Sequence, residues 1–387
     1  MKALDFKKIA VIGSGRMGPG IAQLAAMAGC SVALIGRRSE SLRKAEKKIA
    51  WSLEKLAEKN CFPKDAVEET LSRISYLTEF GRAVRESDLI IEAITEDTDT
   101  KLRIFHEIDK KAPPHAILSS TTSTIPITEL ASATRRPGKV VGIHFFNPPQ
   151  LIKLVEVIPG KEASEETIRA ALDFAKFLGK EALICRKDVP AFTVNRILLP
   201  ILDEAAWTVV RGESSILEID YAFRTELRLP MGPFELMDFV GIDVVYCAMR
   251  EVVRRDRGLI LFSPLIKKFY EQHFWGRDRG GGFHDHLDLV EQHSVSGKVE
   301  VSVASILAPA ANSIAKLLRA GMASIEEVNK ATKLALGFPE GIVTELRSIG
   351  LDKIYESLVY KWKAYGCELY RPDEGLKSLF KAAEAKR

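Results

Sequence analysis

Cysteine is scarce and unpatterned. The 387 residues hold five, Cys30, Cys61, Cys185, Cys247 and Cys367, odd in number and without a C-x-x-C pair. That spacing excludes a disulfide framework and a zinc knuckle, and it points to a reducing compartment. No apolar run approaches the roughly 18 residues that a membrane span needs. The opening MKALDFKKIAVIGSG runs straight into a strand, leaving no room for a signal peptide. The expected setting is therefore cytoplasmic and away from the membrane. Charge of one sign is lacking too: 56 Lys and Arg against 52 Asp and Glu give a net +4, and no basic block marks a nucleic-acid surface. The slight excess suits an anionic small ligand. Asn and Gln are few beside Lys, Arg and Glu, a tendency of thermophilic proteins.

What is present is a globular composition, 46% hydrophobic and 28% charged, in a chain long enough for two or three domains. The first 185 or so residues alternate short β-branched runs with longer helical patterns, the signature of a parallel sheet with crossover helices. Candidate strands are 9–13, 31–36, 88–93, 116–119, 139–144, 151–158 and 182–185. The segment Ser39–Glu58 reads as a helix, because Leu42, Ile49, Leu53 and Leu56 recur at helical spacing. Beyond about Asp188 the strand-like runs vanish. Residues 197–246 then align without gaps on 306–355, at an offset that pairs Pro200 with Pro309, Gly212 with Gly321, Ser215 with Ser324, Glu218 with Glu327 and Gly241 with Gly350. Shared Gly and Pro mean shared turns, so the helical part reads as a duplicated unit. The expected fold is a doubly wound α/β domain over 1–187, followed by helical copies over 188–292 and 293–387. A Gly- and Arg-rich stretch, 276–282, lies between the copies.

Gly13-Ser14-Gly15-Arg16-Met17-Gly18 follows a strand and opens a helix. In that setting the first glycine permits the tight turn, the second lets the backbone approach a pyrophosphate, and the third lets helix pack on strand. The helix N-terminus then offers N–H groups to the phosphates. An NAD site usually ends its second strand with an acid that bonds the ribose 2′-hydroxyl. Here SVALI ends in Gly36, Arg37 and Arg38. Two guanidinium groups suit a 2′-phosphate, so NADP(H) is expected, with NAD(H) as the alternative in which Ser39 or Glu40 meets the ribose.

His144 ends an apolar run and Glu156 interrupts another, LVEVI, where a carboxylate is costly unless paired. A His–Glu pair resolves the cost. The carboxylate orients the imidazole and makes it an efficient proton carrier near neutral pH. The hydroxyl cluster from Ser119 to Thr124 either caps the helix after Pro126 or donates to a substrate oxygen, and pattern alone leaves both open.

Together, GSGRMGPGIAQLAA, IEAITED, the hydroxyl cluster, HFFNPP with KLVEV, VPAFTVNRILLPIL and LPMGPFELMDFVGID make the sequence resemble the 3-hydroxyacyl-CoA dehydrogenases along nearly its whole length. The resemblance implies an oxidoreductase that interconverts (S)-3-hydroxyacyl-CoA and 3-oxoacyl-CoA. It implies His144 as acid/base with Glu156 as its orienting partner, and Ser123 and Asn195 as hydrogen-bonding groups for the substrate. Asn147, Glu96 and Lys101 would line the cofactor site, while Ser52 and Lys59 would stand near the CoA moiety. No metal is implied. The chain departs from the family at Gly36, where an acid is usual, at Asp97, where Asn is common, and at Thr121-Thr122-Ser123-Thr124, where Asn-Thr-Ser-Ser is frequent. By the same resemblance the second helical copy is structural, since Ala304 stands at the register of Asn195. It would replace a partner's domain and leave the chain a pseudo-dimeric monomer or a homodimer. His284 and His286 occupy places of family tyrosines; a metal is the other reading of such a pair, packing the expected one. The chain stops before any hydratase domain. Two rivals share the pattern: a dehydrogenase of a non-CoA hydroxy acid or sugar acid, and a catalytically silent scaffold subunit.

Overall fold

A computed structural model describes residues 6–277, 279–290 and 301–381. The expected boundary at 292/293, and Asp278 of the Gly- and Arg-rich stretch, lie outside the described residues. The chain divides into two compact units, Met1–Val189 and Pro190–Arg387.

The first unit is built on β1 (Lys8–Ile12), α1 (Gly18–Met27), β2 (Ser31–Ile35), α2 (Ser39–Glu58), α3 (Val67–Ser72), β3 (Ile74–Leu77) and α4 (Phe80–Arg85). It continues through β4 (Leu89–Glu92), α5 (Thr98–Lys111), β5 (Ile117–Ser120), α6 (Ile127–Ala131), β6 (Val140–Phe145), β7 (Leu154–Pro159), α7 (Glu165–Phe177) and β8 (Glu181–Ile184). One sheet runs in the order β3-β2-β1-β4-β5-β6-β7-β8. The inner strands β4, β5 and β6 are buried throughout, as sheets covered by helices on both faces require. Ile9, Val11, Val32, Leu34, Leu89 and Ile91 meet Ile21, Leu24, Leu42, Ile49 and Leu53 of the helices in one core. Strand order reverses between β1 and β4, and the crevice beyond their carboxyl ends is where open α/β sheets bind ligands.

Two expectations need correction. The sheet is mixed, not wholly parallel, because β7 pairs antiparallel with β6. The strand expected at 151–158 starts later, at Leu154, because a turn takes its first residues, with the Leu151 and Ile152 amides donating to the Pro148 carbonyl. The edge strand β3 escaped the pattern: it has four residues, of which only Ile74 is buried.

The second unit is helical: α8 (Asn195–Val210), α9 (Ile216–Glu226), α10 (Pro233–Val240), α11 (Ile242–Arg255) and α12 (Pro264–Glu271), then α13 (Val303–Arg319), α14 (Ile325–Leu336), α15 (Ile342–Ile349), α16 (Leu351–Tyr365) and α17 (Leu376–Lys381). The repeat is visible in the backbone. Pro200 and Pro309 both sit inside helices. Ser215–Glu218 and Ser324–Glu327 both form capping boxes. Gly212 and Gly321 share a positive φ, 67° and 65°, as do Gly241 and Gly350 at 108° and 102°. Helices α8 and α13 pack along one another, and the Ser313 hydroxyl of α13 donates to the Arg196 carbonyl of α8 at 2.7 Å.

Candidate active site

The glycine loop sits at the sheet's reversal. Gly13 has a φ of +126° and its missing side chain lies against the Ala93 carbonyl, so no other residue fits there. A Cβ at Gly18 would run into the Gly13 carbonyl, whereas one at Gly15 would meet nothing within 4 Å. The middle glycine therefore faces open space. Helix α1 has no side-chain cap, no acid in its first turn and Pro19 near its start. Its N–H groups remain available to an anion, which suits a pyrophosphate.

At the end of β2, Gly36 is buried and Arg37 and Arg38 are exposed. A Cβ at Gly36 would crowd the Ser14 hydroxyl at 2.5 Å. That hydroxyl donates to Ser41 Oγ at 2.9 Å, and Ser41 donates to the Arg38 carbonyl at 2.8 Å. Where an acid would stand, the loop presents the linked Ser14 and Ser41 hydroxyls, followed in sequence from Gly36 by the exposed Arg37 and Arg38.

In the antiparallel register of β6 and β7, His144 lies directly opposite Glu156. Directly opposed residues project to the same face, and the side chains meet: His144 Nδ1 is 2.7 Å from Glu156 Oε2, both groups buried. The ring also packs on Phe146, centroids 4.5 Å apart. The other carboxylate oxygen, Oε1, accepts from the Cys185 thiol at 3.6 Å. With Glu156 bonded at both oxygens, the imidazole is held in orientation through Nδ1.

The hydroxyl cluster is organised by Glu96. One of its oxygens, Oε1, accepts from Thr122 Oγ1 at 2.6 Å, Ser123 N at 2.9 Å, Thr124 N at 3.0 Å and Thr124 Oγ1 at 2.9 Å, with Ser123 Oγ at 3.3 Å. The cap of α6 comes from elsewhere, since Asp188 accepts from the amides of Ile127 and Thr128 at 2.8 and 2.6 Å. Lys101 is buried between Glu92 Oε1 at 2.6 Å and Glu96 Oε2 at 3.4 Å. Burial alone would push the Glu96 carboxyl up; Lys101 and the bonds from Thr122, Thr124 and Ser123 outweigh it and hold Glu96 below the usual carboxylate range. Lys101 thus faces carboxylates and acts through Glu96.

A polar cavity opens beside these elements, lined by Arg16 and Gln23 of the first βα segment, Lys48 and Ser52 of α2, and Asn147 and Gln150 of the turn after β6. Gln150 donates to Ser52 Oγ at 3.4 Å, and its own Oε1 is buried without a partner. Lys180 pins this turn by donating to the carbonyls of Pro149 and Ile152 at 2.6 and 2.7 Å. Lys59 stands exposed at the end of α2. Asn195 opens α8 in the second unit, and His144 belongs to the first.

Residues 8–189 match the 3-hydroxyacyl-CoA dehydrogenase NAD-binding domain, and residues 192–286 and 302–387 match the C-terminal domain of the same family. The chain belongs to the 3-hydroxyacyl-CoA dehydrogenase family. It is an oxidoreductase, and its first unit is the family's NAD-binding domain. The mitochondrial hydroxyacyl-coenzyme A dehydrogenase of Sus scrofa is 41% identical over 290 residues, which span 73% of this chain and 92% of that protein. An (S)-3-hydroxybutyryl-CoA dehydrogenase structure from Ralstonia eutropha is 32% identical with a TM-score of 0.65, over 71% of this chain and 96% of its own. A 3-hydroxybutyryl-CoA dehydrogenase structure from Escherichia coli extends the likeness of fold to 97% of this chain and 98% of its own, with a TM-score of 0.80 at 23% identity.

Two contributors to the site escaped the sequence reading. Cys185 reads as an ordinary core cysteine until β8 brings it beside Glu156. Gln150 reads as part of a loop, and only its buried, unpartnered oxygen marks it.

Proposed function

We propose that this dehydrogenase catalyses reversible oxidoreduction at C3 of (S)-3-hydroxyacyl-CoA and 3-oxoacyl-CoA thioesters, with NADP(H) as its preferred cofactor. The observation that carries the reading is the buried His144–Glu156 pair across β6 and β7, with β6 leading into Asn147 and the cavity it lines. When bound, the nicotinamide supplies or takes up the hydride. The chain's own residues do the rest. His144 holds the C3 oxygen through Nε2, giving a proton on reduction and taking one on oxidation, while Glu156 keeps Nδ1 protonated and the ring in place. Ser123, fixed by Glu96, and Asn195 hydrogen-bond the reacting oxygen and thioester region. Asn147 orients the nicotinamide, and Gly13, Gly15, Arg16, Met17 and Gly18 carry the pyrophosphate. Arg37 and Arg38, with the Ser14 and Ser41 hydroxyls beside them, take the 2′-phosphate in place of the missing acid. Ser52 and Lys59 meet the CoA arm. The second helical copy, with Ala304 at the register of Asn195, is structural, and the compartment we infer is the cytoplasm, in keeping with five free cysteines.

A paired assay tests this. Reduction of acetoacetyl-CoA is expected to show kcat/KM at least about tenfold higher with NADPH than with NADH, a difference of ~1.4 kcal/mol. His144→Ala is expected to lower kcat by about 10²- to 10⁴-fold while leaving nucleotide affinity in place. Undiminished turnover in that variant removes His144 from the mechanism; a preference for NADH removes only the cofactor assignment.

A further inference from the structure

Helix α2 buries Leu42, Ala45, Ile49, Leu53 and Ala57 against the sheet, yet it holds Trp51 out in solvent, 61% exposed. An indole left in water forfeits a large apolar area. Its surroundings are specific. Lys48 and Ser52, and Trp51, Lys55 and Lys59, recur at spacings of four, and the two rows are adjacent, so they share one side of the helix. Lys48 and Ser52, a turn apart, also line the polar cavity in which the Gln150 oxygen lacks a partner. An aromatic face and a cation thus stand on one side of α2, and the cation lines the cavity that holds the unsatisfied amide acceptor.

Such an arrangement fits a ligand with a purine base, a phosphate and an amide-bearing arm. The adenosine of the dinucleotide does not meet it. That group belongs at Arg37 and Arg38, at the opposite end of the helix, and the twelve residue steps from Ser39 to Trp51 span about 18 Å. A second adenine is required, and, on the CoA-thioester reading above, the substrate carries one. We propose that Trp51 stacks on the adenine of the acyl-CoA and Lys48 pairs with its phosphates, with Gln150 Oε1 accepting an amide N–H of the pantetheine arm. Trp51 and Lys48 are then specificity residues that separate CoA thioesters from shorter ones.

Thioesters with and without the nucleotide test it. Steady-state rates are compared for acetoacetyl-CoA and acetoacetyl-pantetheine in wild type, Trp51→Ala, Trp51→Phe and Lys48→Ala. Trp51→Ala is expected to raise KM for the CoA thioester about tenfold with kcat unchanged, leave the pantetheine thioester unaffected, and be partly rescued by Trp51→Phe. Adenosine 3′,5′-bisphosphate alone is expected to quench the part of the fluorescence that wild type has and Trp51→Phe lacks. An equal effect on both thioesters, an unchanged KM for the CoA thioester, or no quenching overturns the subsite and leaves the dehydrogenase reading standing. A wild-type enzyme inactive on both thioesters overturns that reading and the subsite with it.

Discussion

Glu156 is bonded on both sides, and the two bonds were unequally legible. The acid announced itself, because a carboxylate inside LVEVI has to find a partner, and His144 at the end of a neighbouring apolar run was the available one. Cys185 announced nothing. It lies 29 residues further on and reaches Oε1 only because its amide continues the β7–β8 ladder onto the Val157 carbonyl. A thiol bond of this kind contributes modestly. Cys185→Ala is therefore expected to lower kcat about 2- to 10-fold with KM little changed, and Cys185→Ser, which keeps a donor, is expected to recover most of the loss. The same loss in both variants would assign the cysteine to packing alone. Glu96 was legible as a site residue through its motif. Its grip on three consecutive hydroxyl residues was not, since the carboxylate comes from 26 residues earlier in the chain and adds to local bonds such as that of the Thr122 amide to Ser120 Oγ.

At the level of elements, periodicity located most strands and the long helix, and it was blind to direction. Nothing in LVEVI distinguishes a parallel from an antiparallel neighbour; the short connection after β6, too brief for a crossover helix, is what turns β7 around. His284 is a second case. It reads as an odd substitution for tyrosine, yet both its nitrogens face carboxylates, Nε2 on Asp220 at 3.1 Å and Nδ1 on Asp238 at 2.8 Å. Asp220 also accepts from the Phe234 and Glu235 amides, and Asp238 from Phe283, so the ring ties α9, α10 and the 282–286 turn together. Asp220, Glu235 and His284 lie close enough to invite a metal, but these donors are already engaged within the fold, Glu235 with Gly232 and Arg224. Bonds to Asp220 and Asp238 raise the imidazole to about 10. Burial raises the Asp220 carboxyl, while His284 and the two amides pull the other way. Two acids on one ring favour the charged form. A raised folded value means stability fully present below the unfolded value of about 6.5 and lost as pH rises through about 10. Thermal melts between pH 6 and 10.5 should show wild type losing on the order of 2–4 °C more than His284→Gln. Parallel curves would deny the ring its charge.

Across the whole molecule, the duplicated helices are joined by a buried charge cluster that no repeat alignment foretold. Glu204 of α8 accepts from Lys361 of α16 at 2.7 Å, from the Tyr370 hydroxyl at 2.7 Å, and from Arg211. Lys361 is 2% exposed, and desolvation holds its ammonium below the ordinary lysine range despite Glu204. Breaking such a pair from one side strands a charge in the core. Glu204→Ala is expected to cost about 3–5 kcal/mol, read as a lower midpoint in denaturant melts. A variant as stable as wild type would mean that this charge cluster adds nothing net to the joining of the two copies.

The opposed placement of His144 and Glu156 has a consequence for how this enzyme tolerates change. Because the two strands run in opposite senses, the ladder itself measures the distance between proton donor and counter-charge, and the intervening loop does not. Residues added to the Pro148–Gln150 turn would leave the His144–Glu156 spacing as it is, although they would alter the cavity that this turn lines. Removing a single one from either strand would send every side chain beyond the deletion to the opposite face of the sheet and carry the acid to the far side of its base. Variation in length along these two strands is thus quantised by twos.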